Sequence, residues 1–265
     1  MRKWLVLCLA VLVAGAFFAQ TVNAEFIMEK ITKEKVLRVG VAPWKNFIQK
    51  NPTTEMYEGI IADDLQNFEK ETGIKVEIIE TNWAGMIAGL QAGKWDAIMN
   101  GLGATVQRSV SLAFTEPYGY YAEASLVRTK DKVKSFADLD KKGNKITCIA
   151  GTSAHTLWKG KFKNAELVTF TDSTPAMLEV IQGRAKAFMS DSLVNSFRAK
   201  ERPELKLFIP ENTTWFYQAH AVRYQDQDLL AFLNTYIRNM RVRGWYKELA
   251  KKWGMADTWA TGPKN

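Results

Sequence analysis

Disulfides are the first device this sequence lacks. Of its two cysteines, Cys8 sits in an N-terminal apolar run and Cys148 in a short run of β-type residues. Histidine is as scarce, with only His155 and His220. No His/Cys group has metal-ligand spacing, and neither a GxSxG elbow nor a glycine-rich phosphate loop is present. No cofactor is therefore implied. No Pro- or Ser-rich linker divides the chain, and no block of five like charges points to a nucleic-acid or anionic-lipid partner. The excess of basic residues, +8 in formal charge, is spread along the chain as solvated surface.

What is present begins with a leader. Arg2 and Lys3 precede an almost wholly apolar stretch from Trp4 to Ala19, and Val22 and Ala24 occupy the two positions that a signal peptidase reads. The apolar run is about 16 residues, short of the roughly 20 that span a bilayer. Cleavage after Ala24 is expected. It removes two bases and no acid, so the charge falls from +8 to +6 and the length from 265 to 241. Only Cys148 then remains, and an exported chain without disulfides must be held by its core, which fits a bacterial periplasm.

The mature chain alternates strand and helix patterns. Val36 to Val41 is a short apolar run of buried-strand type, and Ile74 to Glu80 alternates Ile74, Val76 and Ile78. Between them, Ile61, Leu65 and Phe68 recur at helical spacing, with Gly73 as a stop. A helix over 83–91 and a strand opening at Ala97 complete the unit. The pattern then restarts: strands at 145–150, 167–170 and 185–189, and helices at 153–161 and 175–182. The spacing predicts a long helical tail from Asp228 to Trp253, able to return and cover the first unit. Two α/β units in series, each with a mainly parallel sheet, would place a ligand cleft between the C-terminal ends of their strands.

Particular segments sharpen this. VLRVGVAPW, YEGIIADDLQNFEKETGIKVEII, NWAGMIAGLQAGKWDAIMNGLGATVQRSVSLAFTEPY and KSFADLDKKGNKITCIAGTS resemble successive blocks of the polar-amino-acid solute-binding proteins of bacterial uptake transporters. MLEVIQGRAKAFMSDS and the C-terminal LLAFLNTYIRNMRVRGWYKELAKKWG extend the likeness over essentially the whole mature chain. The resemblance implies a two-lobed fold, with residues 25–124 plus 222–265 in lobe 1 and 125–221 in lobe 2. It also implies a periplasmic monomer that delivers an amino acid to a membrane ABC permease. One departure is Lys186, where relatives usually carry an acid.

The site residues follow from the chemistry of a zwitterion. Arg108 offers a planar fork of N–H groups for a carboxylate, with the Thr105 hydroxyl three residues before it. Gly101 and Gly103 let the backbone approach a ligand closely. By resemblance, Thr105 and Arg108 hold the α-carboxylate, and the backbone near Gly103 and Asp191 take the ammonium. Asp191 also has a plain structural alternative, as a helix cap. Gly151, Thr152 and Ser153 open a helix and offer an anion-friendly turn; His155, within that helix, reads as a packing residue. Trp44, Phe47 and Trp83 are candidates for an aromatic wall. A rival reading, a cyclohexadienyl (prephenate or arogenate) dehydratase on the same fold, needs a carboxyl of raised pKa in the cleft, and no such carboxyl can be placed there from the sequence.

Overall fold

The computed structural model describes residues 26–210 and 213–263, and the expected leader lies outside them. Helix α1 (Ile27–Glu34) leads into strand β1 (Val36–Val41), and a small hairpin of β2 (Gln49–Lys50) and β3 (Tyr57–Glu58) follows. Next come α2 (Ile60–Thr72), β4 (Lys75–Glu80), α3 (Met86–Gln91) and β5 (Ala97–Ile98). Helix α2 ends where Gly73 adopts a left-handed conformation (φ 69°), the usual glycine stop. Helix α3 starts three residues later than expected, because Asn82 accepts from the Gly85 N–H at 2.8 Å and holds the preceding residues in a turn.

The chain continues through α4 (Val106–Ser109), β6 (Ala113–Phe114) and the long β7 (Gly119–Arg128). The second unit holds α5 (Phe136–Leu139), β8 (Lys145–Ile149), α6 (Ser153–Trp158), β9 (Glu166–Phe170), α7 (Ser173–Ile181), β10 (Ala187–Asp191), α8 (Ser192–Glu201) and β11 (Leu205–Phe208). It returns through β12 (Trp215–Gln218) and β13 (Ala221–Val222) to α9 (Gln227–Val242), α10 (Trp245–Lys252) and α11 (Thr258–Thr261). The expected single C-terminal helix is thus two, broken at Gly244, whose φ of 80° no helix accommodates.

Two sheets result, with strand orders β4-β1-β5-β13-β6 and β11-β7-β10-β8-β9. In each, three strands run parallel and the rest are antiparallel additions. The additions arise where the chain crosses between units. The first half of β7 pairs with β12 (Gly119 to Ala122 against Gln218 to Trp215) and the second half with β10 and β11. The two crossings therefore lie side by side as one ribbon.

The C-terminal helices pack on the first sheet. Leu229, Leu233, Tyr236, Ile237 and Met240 form the buried face of α9 and share a core with Leu37, Val39, Leu65 and Phe68. Each such side chain contributes about 1.5–3 kcal/mol by leaving water. Buried Asp64 ties the layers by accepting from the Tyr236 hydroxyl at 3.0 Å and Trp245 Nε1 at 2.7 Å. Cys148 is buried in the second core, and Lys186 pairs with Asp131 at 3.2 Å.

Candidate functional site

The parallel strands of both sheets point their C-terminal ends at one another, and the loops that follow them meet. After β1, Trp44 turns back on itself through a bridge to Ile48. Its ring stacks on Phe47 (3.7 Å between centroids) and meets Trp83, after β4, edge-on at 5.8 Å. Phe47 is fully buried beneath Trp44 and so backs the aromatic wall rather than facing outward. Gly101, after β5, has φ 69° and lies against the Trp44 ring, where any side chain would collide.

Arg108, on α4, is 6% exposed. Its Nη1 donates to the Gly103 carbonyl at 2.8 Å and its Nη2 to the Gly151 carbonyl at 2.7 Å. The first acceptor belongs to the loop after β5, and the second to the turn after β8 in the other sheet. One guanidinium therefore links the two units. Burial pulls its pKa down, and Tyr121 and Glu123 push it back up.

Three other predicted hydroxyl or carboxylate groups serve as helix caps. Thr105 accepts from the Arg108 N–H at 3.2 Å. Thr152 accepts from the His155 N–H at 3.3 Å and donates to the Ile149 carbonyl at 2.7 Å. Asp191, at the end of β10, accepts from the Val194 N–H at 2.8 Å through one oxygen and from Ser190 Oγ at 3.3 Å through the other. Burial raises its pKa. Ser153 accepts from the Tyr121 hydroxyl at 2.9 Å, and Tyr121 in turn lies against Gly103, where a methyl group would overlap its oxygen. His155 is half-buried and accepts from the Gly151 N–H through Nδ1 at 3.3 Å.

Glu123 is the residue that sequence reasoning missed. It faces Asp191 across the β7–β10 pair, is fully buried, and neither carboxylate oxygen has a hydrogen-bond partner. Burial pushes its pKa up to about 8. Asp191 adds to the rise and Arg108 opposes it; the Ser153 hydroxyl also lies close enough to favour the charged form, without an aligned bond. Its place in the run YYAEASLV, between apolar neighbours, was the only available signal.

A carboxyl that keeps its proton longer when folded loses relative stability as pH rises. The unfolded chain ionises near pH 4.3 and the native one near 8, so the penalty accumulates across that interval. Glu123→Gln should therefore match the wild type near pH 4 and exceed it by a few kcal/mol at pH 8. Urea unfolding at both pH values checks this; equal midpoint differences at the two would contradict it.

Two cavities flank the Arg108 link. One of about 860 Å³ joins Thr105 to Ser153 and is walled by Leu157, Trp215 and Tyr224. The other, about 260 Å³, joins Trp44 and Trp83 to Ile149, Ser173 and Arg198. Among the described residues no group of His, Cys, Asp or Glu is placed to hold a metal, and no helix is long and apolar enough to cross a membrane.

The cavities thus lie between two α/β units that a buried arginine bridges. The model of the bacterial extracellular solute-binding proteins, family 3, matches residues 37–256. The chain belongs to that family. Among relatives, a probable histidine-binding protein of Campylobacter jejuni is 29% identical over 82% of this chain and 84% of its own. A probable amino-acid ABC transporter-binding protein of Haemophilus influenzae is 29% identical over 95% and 97%. Among solved structures, an ancestral amino acid-binding protein, a precursor of cyclohexadienyl dehydratase, superposes with a TM-score of 0.79 at 33% identity, covering 86% of this chain and 99% of that one. A cyclohexadienyl dehydratase of Pseudomonas aeruginosa is more distant, at 19% identity over 93% of this family 3 chain and 91% of the enzyme.

Proposed function

We propose that this chain is a periplasmic receptor that captures an α-amino acid by hinge closure and delivers it to an ABC permease. The observation that carries this is Arg108, whose guanidinium reaches carbonyls of both units. A ligand carboxylate competes for the same fork, so binding and closure draw on one group. Asp191 takes the ammonium through oxygen lone pairs left after capping, and Trp44 and Trp83 enclose the side chain. In this reading lobe 1 comprises residues 25–124 and 222–265 and lobe 2 residues 125–221. Position 124 falls where β7 passes from the β12 ribbon to the second sheet, which makes that ribbon the hinge. Closure is a shift between pre-existing states, driven by contacts available only when the lobes meet. The leader is cleaved after Ala24, and the mature protein works as a monomer.

Glu123 is the kind of carboxyl that the dehydratase reading requires. It is nonetheless sealed, with no exposed surface, and lines neither flanking cavity, so it has no path for protonating a leaving hydroxyl. The binding reading is the better supported.

A thermal-shift screen against the twenty amino acids tests it. A ligand that binds only the folded state stabilises it by RT ln(1 + [L]/Kd), about 2.7 kcal/mol at one hundred times Kd, so at least one amino acid should raise Tm by several degrees. Turnover of prephenate or arogenate should stay at background. No shift with any amino acid would refute the proposal.

A further inference from the structure

Arg198 is the one charged side chain lining the 260 Å³ cavity that has no side-chain hydrogen bond or ion pair among the described residues. It projects from α8 and is 6% exposed. Its Nε and Nη1 are buried without a hydrogen-bond partner, and among the described residues no carboxylate stands within 4.0 Å of it. The Phe188 ring lies 5.2 Å from the guanidinium carbon. The two acids of the cavity wall each have another partner through one oxygen: Glu80 accepts from the Tyr57 hydroxyl at 3.1 Å and Asp172 from the Thr174 N–H at 2.7 Å. A guanidinium carries five donors and cannot shed its charge, and leaving it buried and unpaired is costly. An oxyanion entering the cavity removes that cost.

The position is equally specific. Asp191 caps α8 and Arg198 follows it by seven residues, about two turns along that helix. They are close enough for each to shift the other's ionisation, although burial is the larger influence on both. The cavity sits beyond the C-terminal ends of β1, β4, β8 and β9, where open α/β sheets hold ligands. Arg198 is the one cation of a cavity wall that also carries Glu80 and Asp172, and its buried donors are the groups there that an entering carboxylate would satisfy.

We propose that Arg198 is a specificity-determining residue that binds a side-chain carboxylate, so that the preferred ligand is an acidic amino acid. This rests on the receptor reading above and narrows it. Trp44 and Trp83 supply the apolar walls along the side chain, and Ser173 lines the same cavity on the second unit.

Calorimetric titration of the mature protein with L-glutamate, L-aspartate, L-glutamine and L-lysine decides the matter. The wild type should bind glutamate or aspartate at least tenfold more tightly than glutamine, and lysine more weakly still. In Arg198→Gln the preference for the acid over glutamine should vanish. Arg198→Lys, which keeps charge but not the fork, should retain part of the preference, and circular dichroism confirms that both variants are folded. Tighter binding of glutamine or lysine than of the acids by the wild type, or an unchanged preference in Arg198→Gln, overturns this assignment alone, provided that binding still depends on Arg108. Absence of binding by every amino acid overturns the receptor reading with it.

Discussion

Replacing Arg108 by alanine is expected to weaken amino-acid binding by about 100- to 1,000-fold, with the ligand-induced rise in Tm lost at millimolar ligand. Truncating one member of a buried, hydrogen-bonded charge pair costs about 3–5 kcal/mol, and here the ligand carboxylate would be left in the cleft without its fork. The same change removes the link between Gly103 and Gly151, so closure loses a contact as well as an anchor. Arg108→Lys should recover only part of the loss, because an ammonium cannot make two parallel bonds to one carboxylate. Calorimetry on both variants checks this, with urea unfolding to show that the fold persists. Affinity within threefold of wild type in the alanine variant would mean that the carboxylate is held elsewhere.

A second large effect is expected at Gly151. It has φ 82°, a conformation that side chains other than glycine adopt at a cost of about 1–2 kcal/mol. A Cβ there would stand 2.6 Å from Ala84 Cα and the Trp83 carbonyl oxygen, and 2.7 Å from the Ala84 nitrogen. Those atoms are backbone of the opposite unit and cannot rotate away. Gly151→Val is thus a wedge between the units, placed outside either core. Affinity should fall at least 100-fold, and small-angle scattering should show no compaction when ligand is added, whereas the wild type contracts. Undiminished compaction in the variant would show that the units approach by another route.

These two positions differ in how far the sequence announced them. Arg108 and Gly151 both stand out, one as a buried-type fork after a glycine-rich turn, the other as the turn between a strand and a helix. Their meeting does not, because they are 43 residues apart and belong to different sheets. Asp191 was open to two readings, cap or ligand group, and its geometry shows the cap directly. Thr105 and Thr152 also cap helices, a role that local spacing can suggest but that only coordinates can pair with a particular N–H. Phe47, a candidate for the wall by position, lies behind Trp44. In a single helix sequence, Arg198 looks like an ordinary solvated residue of the charged stretch RAKERPE.

Local order was therefore written in the chain itself: strands such as 36–41 and 74–80, the helix stop at Gly73, and two successive α/β units. Such features depend on backbone preference and on the period of apolar residues, and both act over a few neighbours. Which polar groups lose their water was decided by the folded molecule alone. Glu123 and Arg198 owe their buried, unpartnered state to surfaces brought together from distant segments, and desolvation depends on everything that surrounds a charge, a quantity that no short stretch of sequence contains.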